Sequence, residues 1–243
     1  MTFEIQTWVT SAAYVSGGIA MGFGAIGAAI GEGYTAAKAN EVMTRNPAVV
    51  GDIFKTMLVG QAVAESASIF SLVVAVLLLF NTATPSLLTA AAMLGAGLSM
   101  GFGALGPGVG CGFPSATACE GIARQPETAQ KVTTTMLVGQ AVAQSTAIYA
   151  LVISLILLYK PAVENPTIAS GAALIGAGLC MGLGAIGPGI GEGITASTAV
   201  TGVARNQEYT ALLTRTMMVG MAVAESTGIY SLVIALLLIF VVK

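Results

Sequence analysis

Four glutamates lie within long apolar stretches of this sequence, where an uncompensated charge is costly: Glu32, Glu65, Glu192 and Glu225. On insertion scales a charge at the centre of a bilayer costs at least about 2.5 kcal/mol, so each carboxylate needs a partner, a proton or a bound ion. The glutamates form two pairs at equivalent points of the sequence. A recurring pair indicates an ion or proton site rather than a neutral hydrogen bond between helices.

Oxygen-bearing side chains accompany the second member of each pair. Ser66 follows Glu65, and Ser226 follows Glu225. Tyr230 stands four residues after Ser226, on the same face of a helix. Hard cations prefer oxygen ligands, so these residues predict a cation site. The sequence contains no nucleophile, metal cluster or phosphate loop that would support catalysis, and we expect neither an enzyme nor an organic cofactor.

The composition indicates that lipid surrounds this chain. Only 8% of the residues are charged, 56% are hydrophobic, and the mean hydropathy is +0.88. So few charged side chains cannot cover a soluble globule. Charge-free stretches, each longer than the roughly 20 residues of a membrane-spanning helix, cover 5–31, 66–119, 132–159 and 165–191. The net charge of −2, without a basic patch, excludes a nucleic-acid partner.

The sequence is a triplication of one unit. Residues 56–64 recur letter for letter at 135–143, and with two changes at 216–224. In each unit a glycine-rich stretch precedes a short polar loop and an aliphatic stretch. The predicted glycine-rich spans are 13–39, 88–119 and 168–200, and the predicted aliphatic spans are 56–80, 133–159 and 214–241.

Backbone groups in lipid must be hydrogen-bonded within their own segment, which favours helices throughout. We therefore predict an all-α integral membrane protein whose six transmembrane helices form three tandem helical hairpins. The predicted units are hairpin 1 (1–82), hairpin 2 (83–162) and hairpin 3 (163–243). The small residues of the first helices allow close helix packing in lipid, which suggests a tightly packed inner ring.

Basic residues predict the orientation. Of the nine, only Lys160 and Lys243 lie away from the loops within the hairpins. The others lie in or beside those loops: Lys38, Arg45, Lys55, Arg124, Lys131, Arg205 and Arg215. By the positive-inside rule, we expect a multi-pass protein of the cell membrane with cytoplasmic hairpin loops and both termini on the outer side.

Hairpin 2 lacks both carboxylates. Cys111 replaces the first-helix glutamate and Gln144 replaces the second-helix glutamate. A neutral glutamine cannot exchange a charge, so this hairpin is expected to carry no ion. It nevertheless keeps Val142, Ser145 and Tyr149, the equivalents in this hairpin of Val223, Ser226 and Tyr230 in hairpin 3.

Two motifs now carry a resemblance to a known family. The loops contain Arg45-Asn-Pro and Arg124-Gln-Pro, and the second helix of hairpin 1 reads Val-Gly-Gln-Ala-Val-Ala-Glu-Ser. With the small-residue first helix, this pattern resembles the c subunit of F-type ATP synthases, once per hairpin over nearly the whole chain. The fused hairpins also resemble the enlarged proteolipids of V-type and archaeal enzymes. The third loop departs from the pattern, because Gln207 replaces proline after Arg205 and Asn206.

The resemblance implies an ion-translocating rotor subunit. Such proteins form a ring of hairpins that turns against a stator membrane subunit, whose arginine displaces the ion from each glutamate. The ring would consist of copies of this chain embedded in lipid, and central-stalk subunits would contact the loops that contain Arg45, Arg124 and Arg205. ATP chemistry would belong to partner subunits.

The resemblance also implies the ion ligands. Sodium-binding members use a Glu or Gln on helix one, a Glu on helix two, and a valine carbonyl, a serine hydroxyl and a tyrosine that the neighbouring hairpin lends. The matching residues are Glu32, Glu65, Val63 and Ser66 in hairpin 1, and Glu192, Glu225, Val223, Ser226 and Tyr230 in hairpin 3. Sodium is favoured over protons, and protons stay the alternative.

The uneven distribution of these residues suggests an order. Hairpin 1 has Phe70 where the others have tyrosine. If each site borrows from the preceding hairpin, this weakened face serves only the site without carboxylates. Tyr149 would then serve Glu225, and Tyr230 of an adjacent copy would serve Glu65. A secondary transporter or channel built from repeats is the rival interpretation, with the glutamates as coupling sites.

Overall fold

A computed structural model of the chain describes residues 2–81, 84–159 and 167–241. The helices are α1 (Thr2–Met43), α2 (Val50–Leu79), α3 (Leu87–Arg124), α4 (Ala129–Ala143), α5 (Ser145–Tyr159), α6 (Ile168–Arg205) and α7 (Thr210–Phe240). Helices α4 and α5 are parts of one span that is interrupted only at Gln144. The backbone N–H of Ile148 still donates to the Gln144 carbonyl across this point (3.2 Å).

Within the described residues, six helices are long and apolar enough to cross a membrane. The predicted all-α membrane architecture is thereby confirmed. The predicted boundaries between hairpins, at residues 82–83 and 162–163, lie outside the described residues, and so do Lys160 and Lys243. The hairpin limits therefore stay predictions.

The ends of the helices show how the polar residues direct the chain. Ser86 caps α3 by accepting a hydrogen bond from the backbone N–H of Thr89 (3.0 Å), which satisfies one of the free N–H groups of the first turn. Thr167 and Ser170 form a reciprocal capping box at the start of α6. These short polar residues explain why long apolar helices begin at defined positions.

All three loops within the hairpins contain the same short 3₁₀ turn. In the first two loops Pro47 and Pro126 occupy the first position of the turn, which suits the fixed backbone angle of proline. The third loop forms the turn without proline. There the side chain of Asn206 accepts a hydrogen bond from the backbone N–H of Glu208 (3.1 Å). A side-chain cap thus holds the turn that proline favours in the other loops.

The three glycine-rich helices lie side by side in one row, with α3 packed against both α1 and α6. Their backbones are in close contact. A Cβ added to Gly108 would lie 2.6 Å from the backbone nitrogen of Ala28, and one added to Gly189 would lie 2.5 Å from that of Pro107. Small residues permit this approach, which is the usual way helices associate in lipid.

The aliphatic helices form a second row. Helix α2 packs against α1 of its own hairpin and against α3 of the next, and α4 and α5 pack in the same way against α3 and α6. Helix α7 packs mainly on α6 and is the most exposed of the six spans. Each aliphatic helix therefore borders the hairpin that follows it, and α7 has a free flank.

Candidate functional site

The hydroxyl of Tyr149 lies beside a membrane carboxylate. Tyr149 on α5 of hairpin 2 donates a hydrogen bond to the Oε1 atom of Glu225 on α7 of hairpin 3 (2.5 Å). The two residues are 76 positions apart in the sequence, so the contact arises from the packing of one hairpin against the next. This is the pairing expected from the order of the repeats.

Glu192 on α6 completes the carboxylate pair of hairpin 3. Its side chain is fully buried, and neither of its carboxylate oxygens has a hydrogen-bond partner among the described residues. Glu192 also interacts electrostatically with Glu225, so two acidic groups share this space. A buried carboxylate without any partner is costly, and a cation or a proton is what relieves that cost.

Further hydroxyl-bearing residues of hairpin 2 lie at its boundary with hairpin 3, where the methyl group of Thr146 would lie 3.1 Å from a Cβ added to Gly228. Thr146 on α5 is fully buried and its hydroxyl has no partner within the described part of the chain. Ser145 precedes it and stands one helical turn before Tyr149. The space between hairpins 2 and 3 thus combines two carboxylates with hydroxyl oxygens, the set of ligands that a hard cation prefers.

The carboxylate pair of hairpin 1 has a different environment. Glu32 lies near Glu65, but Glu65 is exposed, on the flank of α2 that no earlier hairpin covers. Val223 and Tyr230 are also exposed, at 69% and 65%, on the opposite flank of the chain. The chain therefore holds one carboxylate pair that neighbouring residues enclose, and one pair that is open on one side.

In hairpin 2, amides occupy the corresponding space. The Nε2 atom of Gln144 donates to the carbonyl of Val63 on α2 (2.9 Å) and to the sulfur of Cys111 on α3 (3.4 Å). Val63 is a candidate ion ligand from the sequence, and its carbonyl faces the hairpin that lacks carboxylates, where it accepts the amide N–H of Gln144. Ser66 of the same helix bonds to the carbonyl of Ala62 within its own turn (3.3 Å).

The sequence analysis missed Gln140, one turn before Gln144. Its Nε2 atom lies within hydrogen-bonding distance of the carbonyls of Gly60 (3.0 Å) and Cys111 (2.9 Å) and of the hydroxyl of Ser115 (2.8 Å), and its two N–H groups can donate to two of these acceptors at a time. The available signal was two glutamines four residues apart in an apolar helix, which places both on one face.

The other predicted residues are placed as follows. Ser226 bonds to the carbonyl of Val223 within α7 (2.7 Å), so its hydroxyl oxygen can still accept a further contact. The arginines of the loops lie far along the helices from the glutamates. Arg45 and Arg124 form ion pairs with Glu41 and Glu120 of their own helices.

Among the described residues, the third loop lacks the ion pair of the other two. Arg205 has Thr201 where the other loops have an acidic residue. In the part of the chain that the structure describes, no group of three or more cysteine or acidic side chains could hold a metal ion. A cation here would therefore depend on hydroxyl and carbonyl oxygens in addition to the carboxylate pairs.

Comparison with known proteins shows which family this sequence resembles. The family of ATP synthase c subunits matches residues 15–78, 94–157 and 175–238, one match for each hairpin. The ATP synthase c subunit of Petrotoga mobilis is 56% identical over 68 residues, which are 28% of this chain and 71% of that protein.

Two other relatives show the same relation. The ATP synthase c subunit of Thermotoga petrophila is 52% identical over 79 residues, 31% of this chain and 93% of its own length. The chloroplastic c subunit of Ostreococcus tauri is 49% identical over 76 residues, 31% of this chain and 92% of its own length. The chain therefore belongs to the ATP synthase c subunit family and is a non-catalytic rotor proteolipid in which the hairpin of the family occurs three times.

Proposed function

We propose that this chain carries sodium ions at two sites, Glu192 with Glu225 and Glu32 with Glu65. The observation that carries the proposal is the state of Glu192, which is fully buried with neither oxygen bonded among the described residues, beside a Glu225 already held by Tyr149. A cation between the two carboxylates would satisfy the unpaired oxygens. Sodium takes oxygen ligands of this kind.

Charge balance sets the protonation of each pair. Two carboxylates around one monovalent cation leave an excess negative charge in a medium of low dielectric constant. One glutamate of each pair is therefore expected to keep a proton while the other binds the ion. Protons alone are the alternative cargo, but a proton does not need the additional hydroxyl oxygens of Ser145, Thr146 and Tyr149.

The remaining site would be completed by another copy of the chain in a ring. A Cβ on Gly101 would lie 2.6 Å from the carbonyl of Ile19, and one on Gly182 would lie 2.6 Å from that of Leu98. Gly22, the equivalent residue of α1, has no atom of the described chain within 4 Å of that position. The face that α3 uses to pack on α1, and that α6 uses to pack on α3, is therefore uncovered on α1.

The opposite flank is open in the matching way. A Cβ on Gly27 would meet the main chain of Leu105, and one on Gly106 would meet that of Ile186, whereas Gly187 of α6 faces open space. Helix α6 of one copy can thus pack on α1 of the next as α1 packs on α3 within the chain. That junction brings the exposed Tyr230 and the half-buried Ser226 of hairpin 3 towards the exposed Glu65 of the next copy.

In this ring the ion-bearing glutamates pass a stator membrane subunit of the a or I type, whose arginine displaces each ion. The central stalk contacts the loops that contain Arg45, Arg124 and Arg205, which we place in the cytoplasm, with both termini outside. Hairpin 2 carries no ion, so two ions move for every three hairpins. Fewer ions per turn allow each ATP to work against a steeper gradient, which favours ion pumping over synthesis.

Labelling with a hydrophobic carbodiimide tests the two sites, because the reagent attacks protonated carboxyl groups in apolar surroundings. The purified ring is treated with and without sodium, and modified residues are identified by mass spectrometry. We expect selective labelling of Glu65 and Glu225, suppressed by sodium in both cases. Labelling that sodium does not change would assign protons as the cargo, and unlabelled glutamates would contradict both sites.

Replacing each of the two tyrosines by phenylalanine tests which hairpin provides the tyrosine ligand for which carboxylate. Tyr149→Phe removes the hydrogen bond to Glu225 and should weaken sodium protection of that residue about tenfold, the effect of one hydrogen bond to a charged group. Protection of Glu65 should stay unchanged. Tyr230→Phe is the matched variant and should weaken protection of Glu65 alone. The reverse pattern, measured from sodium titrations of carbodiimide labelling, would refute the proposed order of hairpins.

A further inference from the structure

Side-chain amides cross the boundary between hairpins 1 and 2 at the depth of the ion sites. Gln144 reaches the carbonyl of Val63 (2.9 Å), and Gln140 reaches that of Gly60 (3.0 Å), both on α2 of the preceding hairpin. Both glutamines are buried. Amide-to-carbonyl bonds in such surroundings are strong, because water does not compete for either partner. We call this boundary, formed by Gln140, Gln144, Gly60 and Val63, the amide seam.

The boundary between hairpins 2 and 3 has no such donors at the equivalent positions. Met221 stands where hairpin 2 has Gln140, and Glu225 stands where it has Gln144. A methionine side chain has no N–H group, and an ionised carboxylate only accepts hydrogen bonds. At these two positions hairpin 3 therefore offers hairpin 2 only acceptors or apolar atoms. The donor across this boundary is the hydroxyl of Tyr149 in hairpin 2, and the proposed cation would supply further positive charge.

We infer that the amide N–H of Gln144 takes the place of the cation in hairpin 2 and keeps the amide seam closed without an ion. The partially positive N–H group meets the carbonyl of Val63, an oxygen of the kind that a hard cation binds. The comparison with a cation rests on the proposed function, but the hydrogen bonds do not. Hairpins 1 and 2 consequently move as one rigid pair whatever the sodium concentration.

Cys111 is a natural reporter of this seam. Its sulfur accepts the second hydrogen bond of the Gln144 amide (3.4 Å), and the residue is fully buried. A thiol reagent reaches it only when the seam opens, so its alkylation rate follows the open population. Cys180 lies away from this seam, because its sulfur contacts the carbonyl of Ser231 within hairpin 3 (3.5 Å). It serves as the internal control within the same chain.

The test measures alkylation of the purified full-length protein by a small maleimide, with and without sodium. In the wild type, Cys111 should react slowly at a rate that sodium does not change. Gln144→Met keeps the length of the side chain but removes its N–H donors, and should raise the rate at Cys111 about tenfold while that at Cys180 stays constant. Gln144→Leu should have the same effect.

Gln61→Leu is the matched control variant, because the amide of Gln61 donates to the carbonyl of Glu32 within hairpin 1 (3.1 Å) and does not cross the seam. It should leave Cys111 slow. An unchanged Cys111 rate in both Gln144 variants would overturn the inference, and so would a wild-type Cys111 rate that sodium lowers.

A second reporter separates this inference from the sodium sites. Met221→Cys places a thiol on the boundary between hairpins 2 and 3, at a fully buried position. Sodium should slow its alkylation if the Glu192 and Glu225 site binds the ion. A Met221→Cys thiol indifferent to sodium, together with a fast Cys111 in Gln144→Met, would refute the sodium site and support the amide seam.

Discussion

Replacing Glu65 and Glu225 together by glutamine is expected to abolish ion transport and to leave the ring intact. Each residue is the second-helix carboxylate of its pair, and a neutral amide has no charge to exchange with the arginine of a stator. Hairpin 2 shows that the fold accepts this change, because Gln144 occupies the same position and is hydrogen-bonded. The loss should therefore be functional and not structural.

The measurement is ATP-driven sodium uptake into liposomes that contain the complete complex. We expect uptake to fall at least about a hundredfold, since an ion in the membrane would have no charged site to carry it. Glu127→Gln makes the same chemical change in an exposed loop and should leave transport at the wild-type level. Sodium uptake by the double variant within about twofold of the wild type would exclude these glutamates as ion carriers, because removing the essential charge costs far more.

Gly22→Leu is expected to prevent ring assembly without unfolding the chain. No other part of the described chain lies within 4 Å of a Cβ added to Gly22, so the single chain leaves room for a larger side chain there. At the equivalent Gly101 a Cβ would lie 2.6 Å from the carbonyl of Ile19, which shows what a larger side chain would meet at the junction of two copies. Such a clash with main-chain atoms cannot be relieved by a change of rotamer.

Native mass spectrometry or gel filtration in mild detergent would measure the effect, with a shift from a large ring to monomers. Gly51→Leu is the matched control, because Gly51 also faces open space and its counterpart Gln130 is exposed although hairpins flank it on both sides. That variant should assemble normally. Rings of wild-type size from Gly22→Leu would show that copies meet through another surface.

These two variants separate the parts of the proposal. The glutamate variant removes the charge and keeps the junction, whereas the glycine variant removes the junction and keeps every carboxylate. In the Gly22→Leu monomer, the enclosed pair Glu192 and Glu225 retains its contact with Tyr149, because those residues belong to one chain. Glu65 depends on the next copy and would lose its neighbours.

The spans and their number could be predicted because they depend on local properties. A charge-free stretch long enough to cross lipid must become a helix, since no other open structure satisfies its backbone there. The repeats then multiplied one assignment by three. The candidate ion-site residues could be chosen in the same way. A charged glutamate such as Glu65 in an apolar helix costs free energy unless a partner, a proton or an ion compensates it.

The third loop shows where local reasoning was incomplete. The absence of proline after Asn206 suggested a departure from the other loops, yet the same 3₁₀ turn forms there. Asn206 supplies a side-chain acceptor for the turn, an alternative that the pattern of Arg, Asn or Gln, and Pro did not include. Short polar residues can stabilise a turn by this route, and proline is one of several solutions.

By itself the sequence determined that lipid surrounds this protein, that it has three hairpins and that four carboxylates lie within its apolar helices, because length, polarity and repetition are properties of the sequence. Only the tertiary structure decided that Glu192 is enclosed and Glu65 open, that Tyr149 reaches Glu225, and that Gln144 takes the carbonyl of Val63. These contacts join residues about one hairpin apart in the sequence. The register at which the helices pack depends on the shape of their whole faces, where glycines lie against the backbone of the next helix, and not on the few residues at the site.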